Sequence, residues 1–487
     1  MTSTPIGRVV SRHAERTIRE ALEDTRVVLV NGARQSGKST LLRQFARNNE
    51  AEWRDLDLPL VRQAAIADPV GFVDYPGRMV IDEIQRVPEL LLPIKVQVDG
   101  SPSPGRYLLS GSARVLGLRA LPDTLPGRME TIELWPFSQG EIDETADGFI
   151  DAVFTQGEDL RHQSGVLRAE YAERIVRGGF PEAVARSNTR RRERFLDSYV
   201  ADLVARDVAR LSDIERAAQM RALIRLLAAR SAQLLVAASV GNEAGISQAT
   251  ALRYISLLEE VFLIKRIPAW SRNLSNRAIG TAKLAFVDSG IAANLLGADA
   301  RSLIRPGGQF GPLLESFVQM ELARQATWSH ARVDLFHYRT KDKVEVDVIL
   351  ENRQGKVVGI EVKAASTVGP DDFSGLRHLA QRLGDDFIVG LVMYTGQQTL
   401  SFGPRLRAMP VSAIWEVPTT RSLGGSRDEG CPNLAEPGEP SRAGVHRRQV
   451  CRAAREMEGP ESGGTVRESL NLNFLRERRA RSGVRSG

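Results

Sequence analysis

Gly32-Ala33-Arg34-Gln35-Ser36-Gly37-Lys38-Ser39 sets two glycines five residues apart and follows the second with an ammonium and a hydroxyl. That spacing suits the wrapping of a phosphate chain. An apolar run of strand type, Arg26 to Asn31, precedes it, and a helical stretch from Thr40 follows. In this setting backbone N–H groups turn inward around phosphate oxygens at the positive end of a helix. Lys38 is expected on the β and γ phosphates and Ser39 on a magnesium ion, so that Gly32 to Thr40 form the binding set for ATP with Mg2+. Asp82 and Glu83 end a second apolar run, where Asp82 would hold the magnesium shell and Glu83 would polarise the attacking water. An Asp-Glu pair alone also reads as a solvated strand end; the glycine-rich loop upstream gives it the chemical reading. A third run ends in Ser110-Gly111-Ser112, whose hydroxyls either sense a γ-phosphate or make a turn.

A second group of chemistry-bearing residues lies near the C-terminus. Glu315 falls on a helical stretch, Asp347 on the alternating run Val344 to Leu350, and Glu361 and Lys363 on the run Val358 to Lys363. Alternation puts Glu361 and Lys363 on one face of their strand, with Ile360 and Val362 on the other. Asp347 and Glu361 could chelate a divalent metal while Lys363 orients a water beside it. The same charges could equally form a cross-strand salt-bridge patch that needs no metal.

Between the two groups, Gly245 to Glu259 has the form of a helix after a tight turn, with Ser247 as N-cap and Ala251, Ile255 and Leu258 on one face. Leu263 to Pro268 then alternates like the strand of a wing, which makes this segment a candidate winged helix-turn-helix. Its outward set is only weakly basic: Gln248, Arg253, Arg266 and Arg272. DNA binding, a protein–protein role and a structural role all stay open.

The elements that must position these residues divide the 487-residue chain in three. Strands alternate with helices over residues 8–145, helices dominate 165–275, and strands and helices return over 280–417. The fold class is α/β, with a parallel nucleotide-binding sheet, a helical winged middle and a C-terminal α/β domain. Residues 418–487 hold 13 Arg and nine Asp or Glu with no period, and read as a disordered tail, an inert or out-of-frame extension more than a nucleic-acid arm. This tail carries +4 of the net charge of +6, so the folded part is nearly balanced and the charge does not by itself indicate nucleic acid. Both cysteines, Cys431 and Cys451, lie in the tail, which excludes a disulfide framework in the rest. No run approaches the length of a membrane span, and the N-terminal residues lack the apolar core of a signal peptide, so the chain reads as cytoplasmic with no membrane partner.

Several motifs together resemble a known family. The glycine-rich octapeptide, Ile81-Asp82-Glu83-Ile84-Gln85-Arg86-Val87-Pro88, Leu109-Ser110-Gly111-Ser112-Ala113, Leu125-Pro126-Gly127-Arg128 and Leu134-Trp135-Pro136-Phe137-Ser138 look like the AAA-superfamily P-loop ATPases of bacteria and archaea that carry an uncharacterised C-terminal domain. Arg177 to Ala183 and Tyr199 to Asp207 match further landmarks. The resemblance spans about residues 8–417 and implies an ASCE-type sheet with Glu83 as catalytic base and Arg128 as a charge-sensing arginine. Most relatives have Thr at the position of Ser39; either hydroxyl serves magnesium. An acid, fourteen residues on Glu-x-Lys, and a helical Glu upstream resemble the PD-(D/E)XK nuclease core, a feature these relatives share. The resemblance therefore implies an ATPase whose turnover drives a conformational change, with DNA, a protein partner or an oligomer as further participants; alternatively, an ATP-regulated metal-dependent nuclease.

Overall fold

In the computed structural model, described over residues 9–112, 125–208, 217–273, 275, 277 and 280–418, the first layer is a five-stranded parallel sheet. Its strands are β1 (Val27–Asn31), β2 (Glu52–Asp55), β3 (Met79–Asp82), β4 (Tyr107–Gly111) and β5 (Met129–Glu133), in the order β2-β3-β4-β1-β5. Parallel strands joined by crossovers need cover on both faces. Accordingly Val27, Leu29, Ile81 and Leu109 enter one core, and Val28, Val30, Val80 and Leu108 enter another. Helices α1 (Ala14–Asp24) and α2 (Lys38–Asn48) cover the second face through Ile18, Leu22, Leu41, Leu42 and Phe45. The order places β3, β4 and β1 side by side, so the acids, the serines and the glycine-rich loop that follow them emerge together at one edge. In open α/β sheets that edge is where ligands bind.

The middle of the chain includes α3 (Arg168–Arg177), α4 (Thr189–Asp202), α5 (Ala237–Glu243) and α6 (Gln248–Glu260) among further helices. Asn188 caps α4 by accepting from Arg191 N–H, and Ser247 caps α6 by accepting from Thr250 N–H. After α6, β6 (Ile264–Ile267) pairs antiparallel with β7 (Lys283–Phe286), from Ile264 opposite Phe286 to Ile267 opposite Lys283.

Helix α7 (Phe310–Gln325) opens the last part and is buried around almost its whole circumference. It packs on a six-stranded mixed sheet made of β8 (Val333–Arg339), β9 (Glu345–Asn352), β10 (Val357–Lys363), β11 (Phe387–Tyr394), β12 (Leu400–Ser401) and β13 (Leu406–Pro410), in the order β12-β13-β11-β10-β9-β8. Helix α8 (Ser374–Leu383) crosses between the parallel pair β10 and β11 and covers the opposite face. One apolar core runs through the middle helices, β6, β7, α7 and the inner face of this sheet to Trp415 and Val417. The pairing of β6 with β7 and this shared core both bridge the break expected between residues 275 and 280. The tail, from residue 419 on and including Cys431 and Cys451, lies outside the described residues, as does Ala113. No described helix is long and apolar enough to cross a membrane.

Candidate functional site

The loop after β1 is held by its own backbone. Gly32 accommodates the carbonyl of Leu134, which would lie 2.1 Å from any Cβ at that position. Gly37, at φ 96°, makes the left-handed turn that starts α2. Between them Gln35 adopts φ 61°, and Ser36 N–H donates to Ala33 O at 3.2 Å. Lys38 is buried, and its ammonium donates to the carbonyls of Gly32 and Ala33 at 3.0 and 2.7 Å. The loop carbonyls thus hold that charge in the curl, beside the N-terminus of α2.

Next to this loop, Asp82 accepts a hydrogen bond from the hydroxyl of Ser110, with the hydroxyl of Ser39 close by. Burial raises its carboxyl above the ordinary range, with the two hydroxyls acting against the shift. Glu83 takes a left-handed backbone conformation, φ 59°, and its N–H donates to Ser110 Oγ at 3.0 Å. Its carboxylate accepts from Ser112 Oγ at 3.1 Å and from Gln85 Nε2. Gln85 also donates to Ser112 Oγ at 2.7 Å. Both serines therefore position the acids.

A cleft of about 470 Å3 exposes Gln35, Gly37, Lys38, Ser39, Thr40 and Glu83 on one side. Its other wall comes from the middle of the chain, with Pro181, Glu182, Arg186 and Phe195. Arg186 donates to Glu182 Oε2 at 2.6 Å and lies over the Phe195 ring at 4.7 Å. A second, mostly apolar cavity of about 270 Å3 adjoins the loop, lined by Val9, Val10, Thr40, Leu41, Gln44 and Ile142 among others. Arg12 ties these parts together: it donates to Ser36 O at 2.8 Å, Trp135 O at 2.7 Å and Glu141 Oε1 at 2.9 Å.

Arg128 is elsewhere. It precedes β5 beside Val27, at the edge of the sheet opposite the loop, and its guanidinium pairs with Asp99. The length of β1, about 13 Å at a strand's rise per residue, separates those edges. A role for Arg128 on the nucleotide of its own chain is thereby corrected. Arg186, which the sequence reading did not single out, lines the cleft; its place five residues after Gly178-Gly179-Phe180-Pro181, just past the one-turn helix Pro181–Val184, was the local signal.

The C-terminal acids also converge. Glu315, Asp347, Glu361 and Lys363 line one pocket of about 590 Å3, joined by Glu345, Arg339 and Lys283. The last of these changes the chemistry. Lys283 Nζ lies 2.6 Å from Glu315 Oε1, 2.9 Å from Glu345 Oε1 and 3.0 Å from Asp347 Oδ1. Asp347 Oδ2 accepts from Val362 N–H at 3.0 Å, and Glu361 Oε1 pairs with Lys363 at 3.0 Å. Burial opposes the charge on Lys283, but the three carboxylates outweigh it and raise the ammonium further. Burial, reinforced by the charge of Asp347, pushes Glu361 up to about 7 and Glu315 well above its usual range. Chelation of metal by Asp347 and Glu361 does not fit this arrangement, because a lysine ammonium stands among the acids. Lys283 and Glu345 were missed: Lys283 was visible only as a lone charge opening an apolar strand.

On α6, Gln248 and Arg253 are exposed as expected, whereas Arg266 pairs with Glu259 at 2.5 Å and Arg272 with Asp386 at 2.6 Å. Half of the weakly basic set is thus neutralised by acids.

Comparison with known proteins agrees with the first site. Residues 24–143 match the AAA domain family, residues 168–302 a domain of unknown function (DUF8612) and residues 310–414 another (DUF4143). Uncharacterized protein Rv2008c of Mycobacterium tuberculosis and uncharacterized protein Mb2031c of Mycobacterium bovis are each 28% identical over 408 residues, 83% of this chain and 84% of theirs. Among solved structures, the Walker-type ATPase PABY2304 of Pyrococcus abyssi aligns with a TM-score of 0.39 at 15% identity, covering 61% of this chain and 99% of its own. A RuvB mutant of Thermotoga maritima aligns at 0.27 and 19%, covering 53% and 91%. Likenesses this loose carry no argument. The AAA match and the parallel sheet identify residues 24–143 as a P-loop ATPase domain, and the chain as an ATPase.

Proposed function

We propose that the chain binds ATP with Mg2+ between the parallel sheet and the middle helices, and that hydrolysis moves those two walls relative to each other. The observation that carries this is the convergence of loop, Asp82–Ser39 pair and Glu83 at one sheet edge, facing a wall from residues 181–195. Lys38 would exchange its two loop carbonyls for β and γ phosphate oxygens, a stronger, charge-assisted pairing. Asp82 and Ser39 fit a magnesium ion: they already meet, and Asp82 is held in a buried state that a cation would relieve. When bound, that ion would neutralise charge on the β and γ oxygens. Glu83, kept at the cleft by Ser112 and Gln85, would orient the attacking water and accept its proton. Arg186 would leave Glu182 for the γ-phosphate. The apolar cavity beside Thr40 and Gln44 suits the nucleobase.

The coupling has a named path. Arg12 joins the loop at Ser36 to Glu141, and Tyr199 of α4 donates to Arg34 O at 3.3 Å. A partner of protein type is favoured over DNA, because Arg266 and Arg272 are spent on acids. In this reading α5, α6 and the β6–β7 pair form a winged-helix-like module in a structural role, built across the boundary between residues 165–275 and 280–417, while residues 8–145 hold the nucleotide.

The test is ATP turnover by the full chain with Mg2+, beside nucleotide binding by calorimetry. Glu83→Gln should abolish turnover and keep binding, and Lys38→Ala should lose both. Turnover that persists in Glu83→Gln would remove Glu83 as the base, and stimulation by duplex DNA would restore the DNA-linked reading.

A further inference from the structure

The pocket between β7, α7, β9 and β10 has the carboxylates of a divalent-cation site and a second feature that works against one. We infer that Lys283 is the resident cation of this pocket and closes it to divalent metal, so that the C-terminal sheet as folded is a metal-free charge cluster and does not cleave phosphodiesters.

The geometry is that of an ammonium site. Three carboxylates, from α7 and β9, approach Lys283 Nζ at 2.6 to 3.0 Å. Magnesium takes oxygens at roughly 2.0–2.1 Å and calcium at roughly 2.3–2.6 Å, so either ion would have to take the place of the ammonium and draw the acids inward. Three of the remaining acceptors are committed, whereas Glu361 Oε2 is buried with no hydrogen-bond partner among the described residues. Asp347 Oδ2 holds Val362 N–H, Glu345 Oε2 meets Arg339 at 3.2 Å, and Glu361 Oε1 holds Lys363. Four carboxylates face the three cations Lys283, Arg339 and Lys363, so the charge is already nearly balanced. A divalent ion added to that set would repel the ammonium at contact distance.

Lys283 is also fixed from behind. Its side chain is 3% exposed, and its backbone is paired on both sides, with Ile267 of β6 and with Leu234. The cation thus comes from residues 168–302, whereas the acids it satisfies lie in or beside residues 310–414. One region of the chain supplies the counter-ion that completes the other. A rival arrangement would keep Lys283 as a water-activating group beside a metal, which requires room for both.

Mn2+ binding to the nucleotide-free full chain, counted by electron paramagnetic resonance, separates these cases. Asp347→Asn serves as the reference, because it removes the pocket's contribution and leaves any metal at the P-loop. Parent and Asp347→Asn should bind equal amounts of Mn2+. Lys283→Met should gain one further Mn2+ per chain, and Lys283→Met/Asp347→Asn should lose that gain. Should Lys283→Met not fold, Lys283→Met/Glu345→Gln restores the charge balance and carries the same comparison. An Asp347-dependent Mn2+ in the parent, Asp347-dependent nicking of plasmid DNA by the parent, or no gain on removing Lys283 would each overturn the inference. Failure of ATP turnover would leave it standing, since none of these residues lines the P-loop cleft.

Discussion

Arg186 lines the cleft paired with a local acid, Glu182, and is largely buried, so an incoming γ-phosphate meets a cation already partly desolvated. A charge-assisted hydrogen bond of this kind contributes about 1.5–3 kcal/mol. Arg186→Ala should therefore lower kcat/KM for ATP by about 10- to 100-fold, whereas Arg128→Ala, at the far edge of the sheet, should leave a dilute monomer unchanged. Steady-state turnover decides it: equal values for parent and Arg186→Ala would take Arg186 out of the site. The loop itself offers a steric test. Gly32→Ala puts a methyl onto the Leu134 carbonyl, and a rigid backbone neighbour cannot yield, so the variant should lose several kcal/mol in a denaturant titration, on the order of other strained core positions. These positions differ in how visible they were. Gly32 to Ser39 is contiguous, and its chemistry follows from spacing alone. Arg186 and Lys283 act across the fold, Lys283 on partners 32 to 64 residues away, and no local pattern marks a side chain whose partners are set by the packing of other elements.

Helix α7 shows the same contrast for a whole element. Its apolar content and the strands that follow are readable from periodicity, and Glu315 falls on it as expected. Its polar residues were not assigned, because what they do depends on the P-loop layer. Arg324 donates to Pro136 O at 3.2 Å and Val287 O at 2.8 Å, and pairs with Glu321 at 2.8 Å. Glu321 also accepts from Gln139 N–H at 2.9 Å. Complete burial pushes Glu321 up to about 7; Arg324 acts against the shift, and the charges of Asp147 and Glu141 add to it. A carboxyl raised in the fold stabilises most when protonated, below its unfolded value of 4.5, and that contribution is lost as pH rises through about 7. The stability of the parent relative to Glu321→Gln should thus fall by about 3 kcal/mol between pH 4.5 and 7. Urea titrations of both proteins across that range measure it, and a constant difference would show that Glu321 keeps its charge throughout.

Across the molecule, the parallel sheet keeps two apolar cores of its own, a third runs from Phe149 to Val417 and takes in Ala33 and Trp135, and a fourth lies between α8 and the outer face of the C-terminal sheet. Beside the apolar contact of Ala33 and Trp135 with the third core, the contacts that join these layers at the nucleotide cleft are polar: Arg12 to Ser36 and Glu141, Tyr199 to Arg34, and the α7 pair to Pro136 and Gln139. Extensive apolar cores resist separation, whereas a few directional bonds can be remade in a second arrangement, so the boundary that moves should be this one, where the apolar share from the sheet layer is Ala33 and Trp135. A nucleotide that touches both walls stabilises only the closed arrangement, by about 2.7 kcal/mol at 100 times its Kd. Amides that exchange through opening of the cleft should then slow by about 100-fold. With Mg2+ and a non-hydrolysable ATP analogue, hydrogen exchange should slow in residues 32–48 and, by the same factor, in residues 180–200, and should change little in β8 to β13. Arg12→Ala, which cuts the link from Ser36 to Glu141 without touching the lysine, the serine or the acids, should keep the protection of the loop and lose most of that in residues 180–200. Protection confined to the loop in the parent would mean that the walls do not close on the nucleotide, and would leave hydrolysis without a path to the rest of the chain.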